Sequence, residues 1–172
     1  MNKSYGFTLI ELMITLAIVA IVLAIGVPSF QGMMRDNRLA TQTNTFLAAL
    51  NLARSEAIKR GRRVTLCKSA SGATCEGGGG YQQGWIVFVD PNDNAVVDAG
   101  EMILRVEGAM PGNLSLTGNS TVQSYVSYVG DGTSRLVGGG FQAGTLTLCA
   151  APKARSIIIN SVGRVRVMET TC

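Results

Sequence analysis

The chain contains no histidine, and only 15% of its residues are charged and 6% are aromatic. Histidine is the usual general base near neutral pH and a common zinc ligand, so its absence excludes histidine-dependent catalysis and zinc sites. The serines therefore lack an activating base, and no Gly-x-Ser-x-Gly elbow is present. The glycine run at 77–80 does not lead into Lys-Ser or Lys-Thr, as a phosphate-binding loop would. We expect no enzyme activity and no cofactor.

The four cysteines show no Cys-x-x-Cys spacing of the kind that redox and zinc sites use. An even number of cysteines outside a reducing compartment indicates two disulfides, for which three connectivities are possible. We favour the sequence-local pairs, Cys67 with Cys75 and Cys149 with Cys172. The second pair would tie residue 172 to a strand instead of leaving it frayed.

A long apolar run extends from Phe7 to Val27 and is interrupted only by Thr8, Glu11 and Thr15. As a helix it would be roughly 31 Å long, which matches the ~30 Å hydrocarbon core of a bilayer. Lys3 and the amino terminus supply a small positive-inside signal. The run has no convincing secretory cleavage site. It therefore predicts a single-pass membrane helix that is anchored from the inside.

Glu11 places a carboxylate inside that run. A carboxylate in lipid costs several kcal/mol unless it finds a partner, so an ionisable residue at this depth indicates a function. The alternative is that Glu11 lies at the level of the lipid headgroups and remains hydrated. The apolar pattern alone does not choose between these two interpretations.

The stretch "GFTLIELMITLAIVAIVLAIGVPSF" resembles the class III signal and N-terminal helix of type IV pilins and type II secretion pseudopilins. The resemblance lies in the spacing of Gly6, Phe7, Glu11 and Pro28. It implies that residues 1–6 are a leader, that a prepilin peptidase cleaves between Gly6 and Phe7, and that Phe7 is N-methylated. It also implies that Glu11 pairs with the amino group of a neighbouring subunit's first residue in the filament, as a buried ion requires.

Beyond the membrane segment at 7–27, residues 28–61 are predicted to form an amphipathic extension of the helix. Pro28 should kink the helix, and Gly61 is the expected C-cap. Apolar or small residues recur every three or four positions, at Leu39, Thr43, Phe46, Leu50, Ala53 and Ala57. Polar residues fall on the other side, at Asn37, Thr41, Asn44, Asn51, Ser55 and Lys59. One helix face should therefore pack on a sheet.

Residues 62–172 alternate short β-type runs with glycine-rich turns, which predicts an antiparallel sheet domain and an α+β fold. Strands are expected at 63–68, 85–90, 102–106, 124–129, 145–149, 155–160 and 164–169. Trp85 lies in an otherwise apolar strand and should anchor the core. The stretches "NTFLAALNLARSEAIKRGRRVTLC", "GWIVFVDPNDNAVVDAGEMILRV" and "IIINSVGRVRV" resemble the FimT and pseudopilin H (GspH) branch of the pilin family. That resemblance is weakest at about 107–145.

The loop from Asp90 to Glu101 carries oxygen ligands at the spacing of a calcium loop: Asp90, Asn92, Asn94, Asp98 and Glu101. Ala95 occupies the position where such a loop needs glycine, and strands rather than helices flank it. We favour a solvated hairpin loop in which the Asp and Asn side chains make turn hydrogen bonds. A calcium site is the alternative.

Basic residues form two groups: Lys59, Arg60, Arg62 and Arg63 at the helix end, and Lys153, Arg155, Arg164 and Arg166 around the final hairpin. Because Arg164 and Arg166 are two positions apart, they should project from one face while Val165 and Val167 face the core. Two guanidinium groups on a rigid element can bind phosphates. The alternative is a solvated strand face. The Gly163-Arg164-Val165-Arg166 stretch resembles the GRxR pattern of DNA-binding FimT-like minor pilins.

The resemblance implies a minor pilin or pseudopilin of the FimT/GspH type, in a type IV pilus used for biogenesis and DNA uptake in natural transformation. Its partners would be other pilins, the prepilin peptidase, the inner membrane and double-stranded DNA. Arg164 and Arg166 would be the main DNA contacts, with Lys153 and Arg155 as auxiliaries. One alternative is a type II secretion pseudopilus, and another is a membrane-anchored periplasmic binding domain.

Overall fold

The structure is a computed structural model that describes residues 6–172, so the predicted leader lies outside the described residues except for Gly6. A single helix, α1, runs from Leu9 to Arg60 and includes Pro28 without interruption. The chain divides into two compact units, and the boundary between them falls between Arg38 and Leu39 on this helix.

The first unit holds the apolar part of α1. Its large apolar side chains are exposed, from Phe7 at 86% to Phe30 at 59%. The helix is long and apolar enough to cross a membrane, and its most apolar stretch buries none of its residues within the described chain. The apolar surface therefore has no cover of its own.

The second unit, Leu39–Cys172, begins with the amphipathic part of α1. Its buried face consists of Leu39, Thr43, Phe46, Ala49, Leu50, Ala53 and Ala57. All six residues predicted to lie on the opposite side are exposed, which confirms the helical pattern. Gly61 follows in the left-handed region at φ 63°, the C-cap conformation that glycine adopts most readily.

Eight strands follow the helix. They are β1 (Val64–Lys68), β2 (Trp85–Val89), β3 (Ile103–Glu107), β4 (Ser115–Gly118), β5 (Tyr125–Tyr128), β6 (Gly144–Ala150), β7 (Lys153–Ile159) and β8 (Val165–Thr171). All seven predicted strands are present, and β4 is an addition in the segment where the resemblance was weakest. The strands form two antiparallel sheets, in the orders β3-β2-β1-β5 and β4-β6-β7-β8.

One hydrophobic core joins the buried face of α1 to inward-facing residues of both sheets. At its centre Phe46 meets Trp85 and Tyr81 edge to face, with ring centroids 5.2 Å and 5.4 Å away. Trp85 is fully buried, as expected of a core anchor. The opposite face of the first sheet carries a smaller cluster built on Cys67, Ile86 and Phe88.

Both predicted disulfides are present. Cys67 is bonded to Cys75 across 8 residues, and Cys149 to Cys172 across 23. The glycine run after Cys75 is held in place, because the buried Lys68 ammonium donates to the carbonyls of Gly77 and Gly79 at 3.1 and 3.0 Å. This loop is therefore anchored by the disulfide at Cys75 and by the Lys68 contacts at Gly77 and Gly79.

Candidate functional site

The start of α1 is closed by a capping box. Thr8 precedes the first helical residue, and its backbone N–H and hydroxyl donate to the Glu11 carboxylate at 3.1 and 3.2 Å. The Glu11 N–H donates in turn to the Thr8 hydroxyl at 3.3 Å. This reciprocal arrangement satisfies donors that the first helical turn leaves unpaired. Glu11 thus has a partner in its own chain, and the Thr-x-x-Glu spacing before an apolar run was the signal that predicts it.

The loop at 90–101 is built around Asp90. The sequence predicted a solvated loop, and this prediction is wrong for Asp90, which is fully buried. Its carboxylate accepts hydrogen bonds from the Thr65 hydroxyl and from the N–H groups of Asn94 and Ala95, all at 2.9–3.0 Å. Burial is tolerated because these donors replace water. Ala95 adopts φ 57°, so the backbone is left-handed at the position where a calcium loop has glycine.

The other predicted calcium ligands bond to one another. The side-chain amides of Asn92 and Asn94 donate to Asp98 at 2.8 and 2.7 Å, and these bonds lower the pKa of the Asp98 carboxyl. Glu101 accepts from the Asp98 N–H at 3.0 Å. No group of three or more His, Cys, Asp or Glu side chains in residues 6–172 is placed to hold a metal ion. The carboxylates therefore do not converge as those of a calcium loop do.

The hairpin of β7 and β8 turns at residues 160–164, as predicted. The Gly163 N–H donates to the Asn160 carbonyl at 2.9 Å, and the Asn160 N–H donates to the Arg164 carbonyl at 3.1 Å. The Asn160 side chain also accepts from the Arg164 N–H at 2.8 Å. Gly163 has φ 76°, a conformation in which glycine is favoured. The turn therefore fixes the backbone on which Arg164 is mounted.

This hairpin tip rests on a second loop, which consists of residues 129–133. A Cβ on Gly163 would lie 2.2 Å from the Gly132 carbonyl oxygen, so only glycine fits there. Arg54 of α1 donates to the carbonyls of both Gly132 and Val162, at 3.0 and 3.1 Å. The tip is thus held by close backbone packing and by a guanidinium bridge to the helix.

Arg164 and Arg166 are both exposed, and neither guanidinium group bonds to any residue in 6–172. Arg166 is paired with Ile158 across the hairpin, on the face away from the core, and two-residue alternation puts Arg164 on the same side. Val165 packs against the core as predicted. Val167 was expected to face the core too, but it is 36% exposed because β8 is an edge strand whose far part extends beyond the core.

Lys153 and Arg155 lie on the other face of this sheet. Arg155 is aligned with Leu148 on one side and Glu169 on the other, in the row of residues that faces the core. Its guanidinium is 3.8 Å from the Glu169 carboxylate and is only 24% exposed. The four basic residues of the final hairpin therefore do not form one surface, because strand alternation separates them into two pairs.

Of the four basic residues at the helix end, Arg62 is the one that is exposed and has no partner among the described residues. Lys59 and Arg60 both pair with Glu56, at 3.6 and 2.6 Å, and the Arg60 bond lowers the pKa of Glu56. Arg63 is 5% exposed and bonds to Asp93 at 2.8 Å and to the Ser127 hydroxyl at 2.6 Å. Arg62 lies beside an open groove of about 430 Å³.

Comparison with known proteins gives one family match for the globular part of the chain and another for its N-terminal part. Residues 42–163 match the family described as type II transport protein GspH. The match covers the helix end, strands β1 to β7 and the hairpin turn as far as Gly163, and it stops before β8. The chain belongs to the GspH family. Residues 1–27 match the prokaryotic N-terminal methylation motif. The chain therefore joins a GspH-family domain to an N-terminal methylation motif, which lies on a helix long and apolar enough to cross a membrane.

Individual proteins resemble this GspH-family chain in part of its sequence or in its fold. It is 38% identical over 80 residues to prepilin peptidase-dependent protein D of Escherichia coli K12, a match that spans 45% of this chain and about half (47%) of that relative. Two crystal forms of the type IV minor pilin FimU of Pseudomonas aeruginosa PAO1 align with TM-scores of 0.58 and 0.54. They are 20% identical and cover 79% and 76% of this chain and 92% of FimU, and they confirm the α+β pilin-like fold.

Proposed function

We propose that this GspH-family chain is a minor pilin of a type IV pilus, and that it binds double-stranded DNA through Arg164 and Arg166 during natural transformation. One observation carries the proposal: two exposed guanidinium groups, which have no partner within residues 6–172, stand on one face of a hairpin tip whose backbone is fixed. Guanidinium groups bind phosphates in bidentate geometry, and a rigid mount reduces the entropy lost on binding.

Such contacts would recognise the phosphate backbone and not the base sequence. Phosphate contacts release counterions, so affinity should fall steeply as salt is raised. Lys153 and Arg155 remain auxiliaries in this proposal, since they face the other side of the sheet and Arg155 is near Glu169. Their contribution to DNA binding should be the smaller one.

The test is a titration of the full chain, in neutral detergent, with a labelled duplex over a range of NaCl concentrations. Arg164→Gln/Arg166→Gln should weaken binding at least tenfold and lower the slope of log K against log salt by about 1.8, since each phosphate contact contributes ~0.9. The matched control is Lys153→Gln/Arg155→Gln, which removes the same charge from the same hairpin and should change both quantities less. Equal effects of the two double variants, or no effect of the first, would refute the proposed contact.

Processing is a second part of the proposal. We expect cleavage between Gly6 and Phe7 and N-methylation of Phe7, with the globular domain in the periplasm before assembly and on the pilus afterwards. The match to the N-terminal methylation motif supports this, as does the relative whose name describes dependence on a prepilin peptidase. The mass of the purified mature chain tests it. A mass that begins at an unmodified Met1 contradicts it.

Assembly should then use Glu11 as the partner of a neighbouring subunit's terminal amine. The capping box offers a competing role, so the test must separate charge from capping. Glu11→Gln keeps a capping side chain but removes the charge, whereas Thr8→Ala removes the cap and keeps the charge. Charge pairing predicts that Glu11→Gln and Glu11→Ala both reduce the amount of this pilin in sheared filaments, with cleavage and anchoring unchanged. Loss of incorporation in Thr8→Ala but not in Glu11→Gln would assign the role to capping.

A type II secretion pseudopilus is the second candidate, and the GspH match over residues 42–163 favours it. Deletion of the chain distinguishes the two machines. Loss of pili and of transformation, with secretion intact, supports the type IV pilus. The reverse pattern supports the pseudopilus. A free-standing membrane-anchored binding domain, the third interpretation, leaves the methylation motif without a purpose.

A further inference from the structure

We infer that Arg62, which lies outside the hairpin, is a third phosphate contact on the same surface, so that the duplex lies across the loop of residues 129–133. This inference rests on the proposed DNA-binding function and adds a residue from a different element.

Most arginines of residues 39–172 are already used within the fold. Arg54, Arg60, Arg63, Arg105, Arg135 and Arg155 each contact a carboxylate or a backbone carbonyl. The arginines of this unit whose guanidinium groups have no partner among the described residues are Arg62, Arg164 and Arg166. A guanidinium group without a carboxylate neighbour can bind a phosphate without first breaking an ion pair within the protein.

The loop at 129–133 links these free arginines. A Cβ on Gly130 would lie 2.8–3.0 Å from backbone atoms of Gly61, so the loop touches the helix end there. Two residues later, Gly132 touches Gly163 at the hairpin tip. Arg62 and Arg164 are the next residues after these two contact glycines. With ~3.8 Å for each Cα step and close contact at both junctions, the Cα atoms of Arg62 and Arg164 are within about 25 Å.

The separation between the Cα atoms of Arg62 and Arg164 is shorter than one helical turn of a nucleic-acid duplex, which is ~34 Å long. The backbone of such a duplex carries closely spaced phosphates, so both arginines can reach one. Neighbouring acids do not neutralise Arg62: Glu56 is taken by Lys59 and Arg60, and Asp93 by Arg63. Arg54 bridges Gly132 and Val162, which fixes the hairpin tip against the loop. The surface is therefore a preformed strip that extends from the helix end over the loop to the hairpin.

Apart from Asp93, which lines the groove beside Arg62 and pairs with Arg63, the loop at the centre of this strip carries an acid of its own. Asp131 is exposed in the middle of the loop, and its carboxylate accepts the N–H and the hydroxyl of Thr133 at 2.8 and 2.6 Å. If a duplex crosses the loop, this charge must repel it. Asp131→Asn retains the side-chain oxygen for Thr133 but removes the charge. The inference therefore predicts a variant that binds more tightly, a result that a purely structural role for the loop does not produce.

The experiment uses the full chain in neutral detergent and the same labelled duplex. Arg62→Gln should weaken binding about fivefold and lower the salt slope by about 0.9, and Asp131→Asn should tighten binding about twofold. Arg105→Gln is the charge-matched control, since Arg105 pairs with Glu107 on an edge strand of the other sheet. It should leave both quantities unchanged. Circular dichroism spectra of all variants should match the wild type.

The outcomes separate the inference from the function on which it rests. If Arg164→Gln/Arg166→Gln weakens binding but Arg62→Gln and Asp131→Asn do not change it, the hairpin binds DNA and the inference fails. If the hairpin variant leaves binding unchanged, the proposed function itself fails. Vesicles of anionic lipid supply the remaining arm: binding to them that depends on Arg62, without such dependence for DNA, would assign the strip to a membrane surface and overturn the inference.

Discussion

The two stretches of α1 use apolar residues in opposite ways. From Leu9 to Arg38 the large apolar side chains are exposed, whereas from Leu39 to Arg60 most of them line the core. Burial of apolar surface is the main stabilising contribution to folding, at ~25 cal/mol per Å². The second stretch obtains it from its own chain. The first stretch does not obtain it within residues 6–172.

Polar groups differ in the same way between the two regions. In the second unit, buried charges such as Arg63 and Asp90 have several partners within the fold. In the first unit, the side-chain partner of Glu11 among the described residues is the exposed Thr8. The comparison shows that the second unit is complete as a folded body, while the first is built for an environment outside the chain.

The largest expected effect is a difference in the free energy of unfolding between two variants. Each variant replaces a phenylalanine with alanine, one in each stretch of α1. Phe46→Ala should lower the free energy of unfolding by about 3–5 kcal/mol, because it opens a cavity between Tyr81 and Trp85. Phe30→Ala should change it by less than ~0.5 kcal/mol, since Phe30 is 59% exposed. Urea unfolding of the full chain in neutral detergent, followed by near-UV circular dichroism, measures both. Similar values for the two variants would mean that the apolar stretch is part of the folded core.

A second contrast concerns glycines. Gly163→Ala should destabilise the second unit by about 2–3 kcal/mol, since the residue has φ 76° and a Cβ would collide with the Gly132 carbonyl. Gly26→Ala in the apolar stretch, where a Cβ meets nothing within 4 Å, should leave that unfolding transition in place. Gly138→Ala is the control within the second unit, because its Cβ also meets nothing within 4 Å. A wild-type thermal midpoint for Gly163→Ala would show that the tip and loop are not packed together.

The sequence predicted the features that depend on local pattern. Helix periodicity predicted the buried face from Leu39 to Ala57, strand alternation predicted seven strands, and loop length favoured both disulfides. Strand β4 escaped prediction because "SLTG" is short and mostly polar. It exists because it pairs with β6, a contact that sequence pattern does not reveal. The division into two sheets is a long-range property of the same kind.

The candidate site was predictable in part. The two-residue spacing correctly indicated that Arg164 and Arg166 are exposed on one side of the hairpin. The same parity rule could have placed Lys153 and Arg155 on the opposite face once the register was known. Arg62 could not be singled out, because its distinction is that Lys59, Arg60 and Arg63 have partners. The pairs of Glu56 with Lys59 and Arg60 follow helix spacing and could have been predicted. The partners of Arg63 come from distant segments, so the sequence alone does not separate Arg62 from Arg63.

The smallest expected effect concerns the acid dependence of the second unit. The Asn92 and Asn94 amides lower the pKa of the Asp98 carboxyl, so its ionised form stabilises the fold. This stabilisation is fully present above the ordinary value of ~4 and is lost as the pH falls through the lowered pKa. Asp98→Ala should therefore have a lower thermal midpoint than the wild type at pH 6, and the difference should shrink towards pH 2.

Asn92→Ala removes one of the two donors and should reproduce part of that difference, with the same dependence on pH. Millimolar calcium added after chelation should leave the wild-type midpoint unchanged at pH 6, because Asp90, Asp98 and Glu101 each already accept hydrogen bonds from within the fold. A calcium-dependent rise that disappears in Asp98→Ala would instead show that these bonds give way to a metal ion. In that case the 90–101 loop, like the apolar stretch of α1, would depend on something outside the chain.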